Sequence, residues 1–474
     1  MKICILGAGT YGCYLANALA EKFPTASITL LDVGTEQIRS ESEVGFKSIN
    51  VKGRYQGATK GRYFGFGGTS AMWGGQLLFF GQHDFAPGAG TQEVVSLNAK
   101  WKKKVLGRFF PQPVALEDES LINTDLKVRK GIWLKFNQRN LFSYFGIDRK
   151  PNVSIVKNVF VQRLLVKDNR IGCAEVVIGE KKSRVYADIF YLTCGAFESL
   201  HILHRSGLED METATAGFGD HISTRAFKIY SKQTKLGKVD FRFRFVNGSM
   251  VTTRLIGEVE GLSFYCHPIY NESFRFFQFL KQLIFKRRFS WNEMALAVGQ
   301  AVHLFPFVFQ YLVQKQLYVL PPWYLHIDIE VDADEENRLS LVEGEDKFQQ
   351  STLGISFNIP QSTYLKLAKA VSKVKEFLDT SGVAYEEMSL SGSAVKLEDT
   401  YHPYNLYGGK PIVSLKNLSN PVDNLFTYHT GLLSRSGSIN PTAALFCVIE
   451  DHVSKLDPTE FVGSLQQQES ISSD

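Results

Sequence analysis

The chain has 474 residues, 44% of them hydrophobic and 21% charged, which is the make-up of a folded protein with a large core and excludes a disordered or fibrous chain. Its 53 Lys and Arg against 48 Asp and Glu give a formal charge of +5. So weak a balance, with no basic stripe, excludes nucleic acid as a partner class. The six cysteines, Cys4, Cys13, Cys173, Cys194, Cys266 and Cys447, are scattered and show no metal-ligand spacing, so buried thiols in a reducing compartment are expected. Met1 and Lys2 run straight into a strand pattern with no secretory leader ahead of it, which predicts a cytoplasmic start.

Lys2 to Leu6 reads as a short buried strand, Gly7 to Gly12 as a tight turn, and the next eleven residues as a helix. A second strand follows and ends at Asp32. Strand, glycine turn, helix and strand closed by an acid is the pattern of dinucleotide binding. Gly7 permits the turn, Gly9 lets backbone approach a pyrophosphate, and Gly12 lets the helix pack close. The phosphates would meet the positive end of the helix. Asp32 can accept from a ribose hydroxyl pair and would repel a 2′-phosphate. The pattern does not separate FAD from NAD.

Lys60 to Gln76 carries Gly65, Gly67, Gly68, Gly74 and Gly75 among Phe64, Phe66, Met72 and Trp73. Repeated glycine lets backbone lie against a flat or charged ligand, and the large apolar neighbours argue against a loose surface loop. Residues 224–263 alternate apolar and polar positions, as do Trp323 to Asp332, which predicts antiparallel strands with one wetted face. Thr363 to Gly382 reads as an amphipathic helix with a glycine stop. The tail from Pro458 lacks apolar periodicity, and 458–474 is expected to be disordered.

Residues 266–322 combine aromatic and aliphatic runs with Lys281, Lys286, Arg287 and Arg288. Gln300, His303, Pro306 and Gln310 break the most apolar run. A packed wall of a substrate cavity and a membrane-surface contact through 273–322 are the two readings that fit; a transmembrane span is disfavoured.

These segments resemble the glucose-methanol-choline oxidoreductases, a flavoprotein family. The resemblance rests on GAGTYG with Asp32, Val33 and Gly34, on GRYFGFGGTSAMWGG, and on Pro151 to Val176, Tyr191 to Leu208, Gly219 to His221 and Asp423 to Val453, all in family order. It implies an α/β fold: an FAD-binding Rossmann-like domain with a discontinuous substrate domain built on an antiparallel sheet. The FAD-binding part would take 1–85, 150–225 and 418–455, and the substrate or cap part 86–149 and 226–417. The cofactor implied is FAD, held non-covalently by Gly7, Gly9, Gly12, Asp32, Gly67, Gly68, Thr69, Ser70, Trp73, Gly74, Val161, Gly195, Pro441 and Thr442. Val161 would hold the adenine through its backbone.

The chemistry implied is oxidation of a CH–OH group by hydride transfer to flavin N5. By resemblance, His402 in YHPYNLYGG falls on the family's catalytic histidine, although Asn405-Leu406 replaces a Gly-Thr and the loop is one residue shorter. His429, in the flavin-proximal stretch, is its rival. Asn440 falls on the second catalytic position, where it can donate a hydrogen bond but cannot act as a base. Pro441 and Thr442 begin a helix whose positive end would favour reduced flavin. No metal site, nucleophile elbow or haem attachment is written in the spacing. The expected substrate is a sugar, polyol or glycan-linked hydroxyl, with a sterol or other lipid alcohol second. The acceptor is a quinone or protein in preference to oxygen. A flavin-binding protein without alcohol oxidation and a nicotinamide-linked dehydrogenase are the alternatives.

Overall fold

The computed structural model describes residues 1–81, 84–85, 92–114, 116, 120–122, 125–272, 274–281, 289–388, 395–396, 402–407 and 421–461. Two sheets organise it. The first is parallel, with strands in the order Leu425–Thr427, Ile189–Leu192, Lys2–Leu6, Ser27–Leu31 and Val153–Val156. Its strands are short and apolar because both faces are covered; Ile189–Leu192 is buried at every residue. On it lie the helices Thr10–Lys22 and Thr442–Lys455, locked by Tyr14 stacked on Phe446 with ring centroids 4.0 Å apart. This sheet gathers strands from three stretches far apart in sequence, so the Rossmann-like region is discontinuous.

The second sheet is antiparallel. Its main path runs Tyr385–Glu387, His221–Ile229, Trp323–Glu330, Leu262–Ile269, Ser249–Val259, Leu126–Trp133 and Gln76–Leu77. Alternation along these strands sorts side chains by face. Ile222, Leu255, Phe264, Leu325, Ile327 and Ile329 join the core. The helix Gln361–Ser381 packs against this sheet through Leu367, Ala370, Val371, Val374, Phe377 and Leu378. Its stop is Gly382, at φ +64°, where the sequence places it. The opposite face carries His221, Tyr265, His267, Asp328 and Arg254.

Some strands bridge the sequence boundaries. In the antiparallel sheet Gln76–Leu77 pairs with Leu126–Trp133 and the start of His221–Ile229 pairs with Trp323–Glu330, and Ser48–Gly53 pairs in parallel with Ser351–Phe357. The tail begins later than its composition suggests: Pro458–Glu460 form a helical turn and Phe461 is buried, because that ring finds an edge-on partner in Phe426. Residues 462–474 lie outside the described residues.

Within 266–322 the structure has the end of the strand Leu262–Ile269, then helices Arg275–Lys281, Trp291–Val298 and Leu304–Leu312. Among the described residues, no helix is long and apolar enough to cross a membrane. Lys286, Arg287 and Arg288 lie outside the described residues.

Candidate active site

The site begins at the turn after the first strand. The Gly7 N–H donates to Leu31 O, and Asp32 receives the Ala8 N–H at 2.8 Å and the Gly34 N–H at 2.7 Å. Asp32 therefore fixes the turn as well as facing the cavity, and burial pushes its carboxyl up despite these donors. A Cβ on Gly12 would stand 1.9 Å from Gly7 O, so only glycine allows helix and turn to meet. A Cβ on Gly9 would meet nothing nearer than Thr193 O at 3.8 Å, because that side of Gly9 opens on a cavity. The glycine-rich segment docks on the same turn through the Gly67 N–H to Ala8 O bond, 2.8 Å.

The cavity has a volume of about 790 Å³, in the range of about 300–1,000 Å³ usual for ligand sites. Gly7, Gly9, Asp32 and Val161 line it, as do Gly68, Thr69, Trp73, Gly74 and Gly195. So do His402, His429, Asn440 and Thr442. Four predicted residues stand behind this wall. Gly12 sits at the helix contact. Gly67 sits against Asn140. Ser70 donates to Gly67 O and accepts from Leu141 N–H. Pro441 caps the last helix. The Val161 carbonyl accepts from Arg205 at 3.0 Å.

His402 is held by Asp220. This fully buried carboxylate accepts the N–H of His221 at 2.8 Å and of His402 at 3.2 Å, and the Tyr55 hydroxyl donates to it. Burial pushes Asp220 up, against the lowering effect of these partners. Asn405, at φ +57°, lets the chain turn after His402; its N–H reaches Leu433 O and that of Leu406 reaches Gly431 O. The Asn405-Leu406 departure thus docks the loop on the segment carrying His429. Neither ring nitrogen of His402 bonds to another described residue, and Nδ1 is buried. Burial, then His221, pushes His402 down to about 3, so it is neutral with one ring nitrogen open to accept a proton, while the same burial makes it a weaker base than a solvated histidine.

His429 is fully buried, its Nε2 3.3 Å from the Tyr407 hydroxyl, and burial pushes it to about 3 as well. Asn440 Oδ1 accepts both the Thr442 N–H at 3.0 Å and its hydroxyl at 2.6 Å. Because the N–H can only donate, this fixes the amide orientation and leaves Nδ2 as a donor.

Several wall residues were not singled out from sequence. Arg62, inside the glycine-rich segment, donates to Glu41, Glu198 and Ala58 O from a buried position. His201, on the helix after Gly195, also lines the cavity. Asp220, His221 and His402 bring ligand atoms within 4.8 Å of one another, a cluster that residues 180 apart in sequence cannot announce. Asp220 is already engaged by three donors and the two rings lie nearly parallel, so this arrangement positions His402.

No protein-family model matches the chain, and no curated protein matches it in sequence. Solved structures do. A pyridoxine 4-oxidase from Mesorbium loti is 15% identical over 96% of this chain and 98% of its own, with a TM-score of 0.56. A formate oxidase from Aspergillus oryzae, studied for the effect of a mutation on FAD modification, is 13% identical over 95% and 97%, with a TM-score of 0.54. A second formate oxidase structure gives 14%, 95%, 97% and 0.54. The fold is the one the sequence resemblance predicts. At these identities the similarity is one of architecture: a Rossmann-like region and a separate antiparallel-sheet region.

Proposed function

We propose that this chain is an FAD-dependent oxidoreductase of the glucose-methanol-choline type, acting on a carbon that bears a hydroxyl group. The observation that carries the reading is one cavity with the Gly7–Gly12 turn and Asp32 in its wall together with His402 and Asn440. The residues fit FAD. Gly9 and Gly195 leave open space where a Cβ would stand, and Asp32 keeps lone pairs for a ribose. Bound there, FAD would supply a two-electron hydride acceptor.

The chain's own residues do the rest. His402 takes the hydroxyl proton, which a histidine held neutral can do. Asn440 Nδ2 donates to the substrate oxygen and orients it as the C=O bond forms. The N-terminus of Thr442–Lys455 puts partial positive charge at the cavity wall, which favours negative charge there. A sugar, polyol or glycan-linked hydroxyl is the proposed substrate class, with a lipid alcohol second. The structural neighbours are named as oxidases, which supports oxygen as acceptor beside a quinone or protein.

The test is identification of the cofactor released on denaturation, followed by anaerobic addition of alcohols. FAD that bleaches with a sugar or polyol supports the reading. A nicotinamide, or FAD that no alcohol reduces, defeats it.

A further inference from the structure

The antiparallel sheet carries a row of basic side chains that the proposed chemistry leaves unused. Register places Arg129 beside Arg254, His267 beside His326, and His326 beside Arg225. Leu255 pairs with Cys266, so Arg254 and His267 are the next step along their two strands. Alternation puts the whole row on one face.

Two of its three arginines are matched. Arg129 donates to both oxygens of Asp84, and Arg225 to both oxygens of Glu272 at 2.9 and 2.8 Å. The Asp328 carboxylate faces His267 at 3.3 Å. Arg254 has no such partner among the described residues. It is 3% exposed, its Nε and Nη1 are enclosed without a hydrogen bond, and its guanidinium lies 5.2 Å from the Tyr265 ring centroid. A guanidinium keeps its charge, and enclosing one unpaired is costly. A ligand oxyanion would match it by a forked, charge-assisted pair.

We propose that Arg254 is an anion subsite: the hydroxyl compound handled by His402 and Asn440 also carries a carboxylate or phosphate that pairs with Arg254. This rests on the proposed alcohol oxidation. Arg254 stands three strands across from His221 and, by register, four residues along from it, about 14 Å laterally and about 13 Å lengthwise. That exceeds one sugar ring, so the anion belongs to a unit beyond the oxidised one, and the substrate is an acidic glycan.

The test compares wild type with Arg254→Gln and Arg254→Lys, each first checked for FAD content and melting temperature. Anaerobic flavin reduction is measured with an acidic oligosaccharide, its phosphorylated counterpart and its neutral, carboxyl-reduced counterpart. Arg254→Gln should raise KM for one of the anionic substrates at least about 10-fold, leave the neutral one unchanged, and be partly rescued by Lys. The anion affected tells carboxylate from phosphate. Independently of turnover, inorganic phosphate or malonate should raise the melting temperature of wild type and not of Arg254→Gln. Equal KM effects on charged and neutral substrates, or an anion shift that survives the substitution, overturn the subsite. If no sugar reduces the flavin but the shift is present and lost in the variant, the oxidation reading fails and the anion site stands. If Arg254→Gln does not fold, Arg254→Lys with a weakened anion shift supports the subsite, and an unchanged shift overturns it.

Discussion

His221 lies stacked on His402, their ring centroids 5.6 Å apart and their planes 17° from parallel. Asp220 receives the backbone N–H of both, so one buried carboxylate sets the position of the pair. The neutral ring faces the cavity and the Asp220 carboxylate stands behind it. If His402 is the proton acceptor, His402→Ala slows anaerobic flavin reduction by about 10²–10⁴ and leaves FAD content near normal. His429→Ala leaves the reduction step within about 10-fold, because its ring is tied to Tyr407. Stopped-flow reduction at saturating substrate decides, and a fast His402→Ala with a slow His429→Ala would exchange their roles.

Gly12 is a position where the nucleotide turn tolerates no side chain, since a Cβ would stand 1.9 Å from Gly7 O and 2.8 Å from the Thr193 hydroxyl. Both neighbours are fixed by strands. Gly12→Ala is expected to cost about 1–3 kcal/mol of stability by overpacking and to yield protein low in FAD. A colour ratio at 280 and ~450 nm, together with a melting curve, measures both. A Gly12→Ala protein with full flavin and an unchanged melting temperature would contradict the geometry.

The parts legible in sequence were those written locally. The turn and its glycines, Asp32 at the end of the second strand, and the helix closed by Gly382 each follow from spacing within about 30 residues. The antiparallel sheet was legible as alternation, but its partners were not, because pairing Gln76 with Trp133 or Ser48 with Leu353 is a tertiary fact. The site divides in the same way. His402 was reachable through resemblance to a motif. Asp220 and His221 lay in the resembling segment Gly219 to His221, but their hold on His402, and that of Tyr55, joins distant segments and was not written in any of them. Arg62 was visible in a quoted motif, yet only the fold brings Glu41 and Glu198 to it.

Asn440 is expected to behave differently from His402. Its Oδ1 is bound by Thr442, so Asn440→Asp would place a carboxylate where a donor is needed while keeping the Thr442 contacts. Asn440→Asp should slow flavin reduction by about 10²-fold or more, because an ionised carboxylate can accept but not donate. The flavin should be retained, since the helix cap survives. Asn440→Ala loses both functions and should also release FAD more readily. If Asn440→Asp reduces at the wild-type rate, the amide is a cap alone.

The pH dependence of flavin reduction follows from the state of His402. An ordinary histidine, near 6.5, would lose its neutral form on acidification and slow the reaction about 30-fold between pH 8 and pH 5. His402 is pushed down to about 3, first by burial and then by His221. A histidine whose folded value is depressed is neutral at every pH above that value. The base is therefore present from pH 8 down to pH 5, and the reduction rate should stay flat on His402's account across that window. The same depression affects stability. The unfolded chain takes up this proton near 6.5 and the folded chain only near 3, so the contribution is full above 6.5 and is lost as pH falls towards 3. The two effects separate in rapid mixing, where protein held at pH 8 meets acidic substrate and is read before it unfolds. A rate that falls with a midpoint near 6.5 in that experiment would show a solvated His402 outside the cavity wall, and a flat rate shows the buried neutral base.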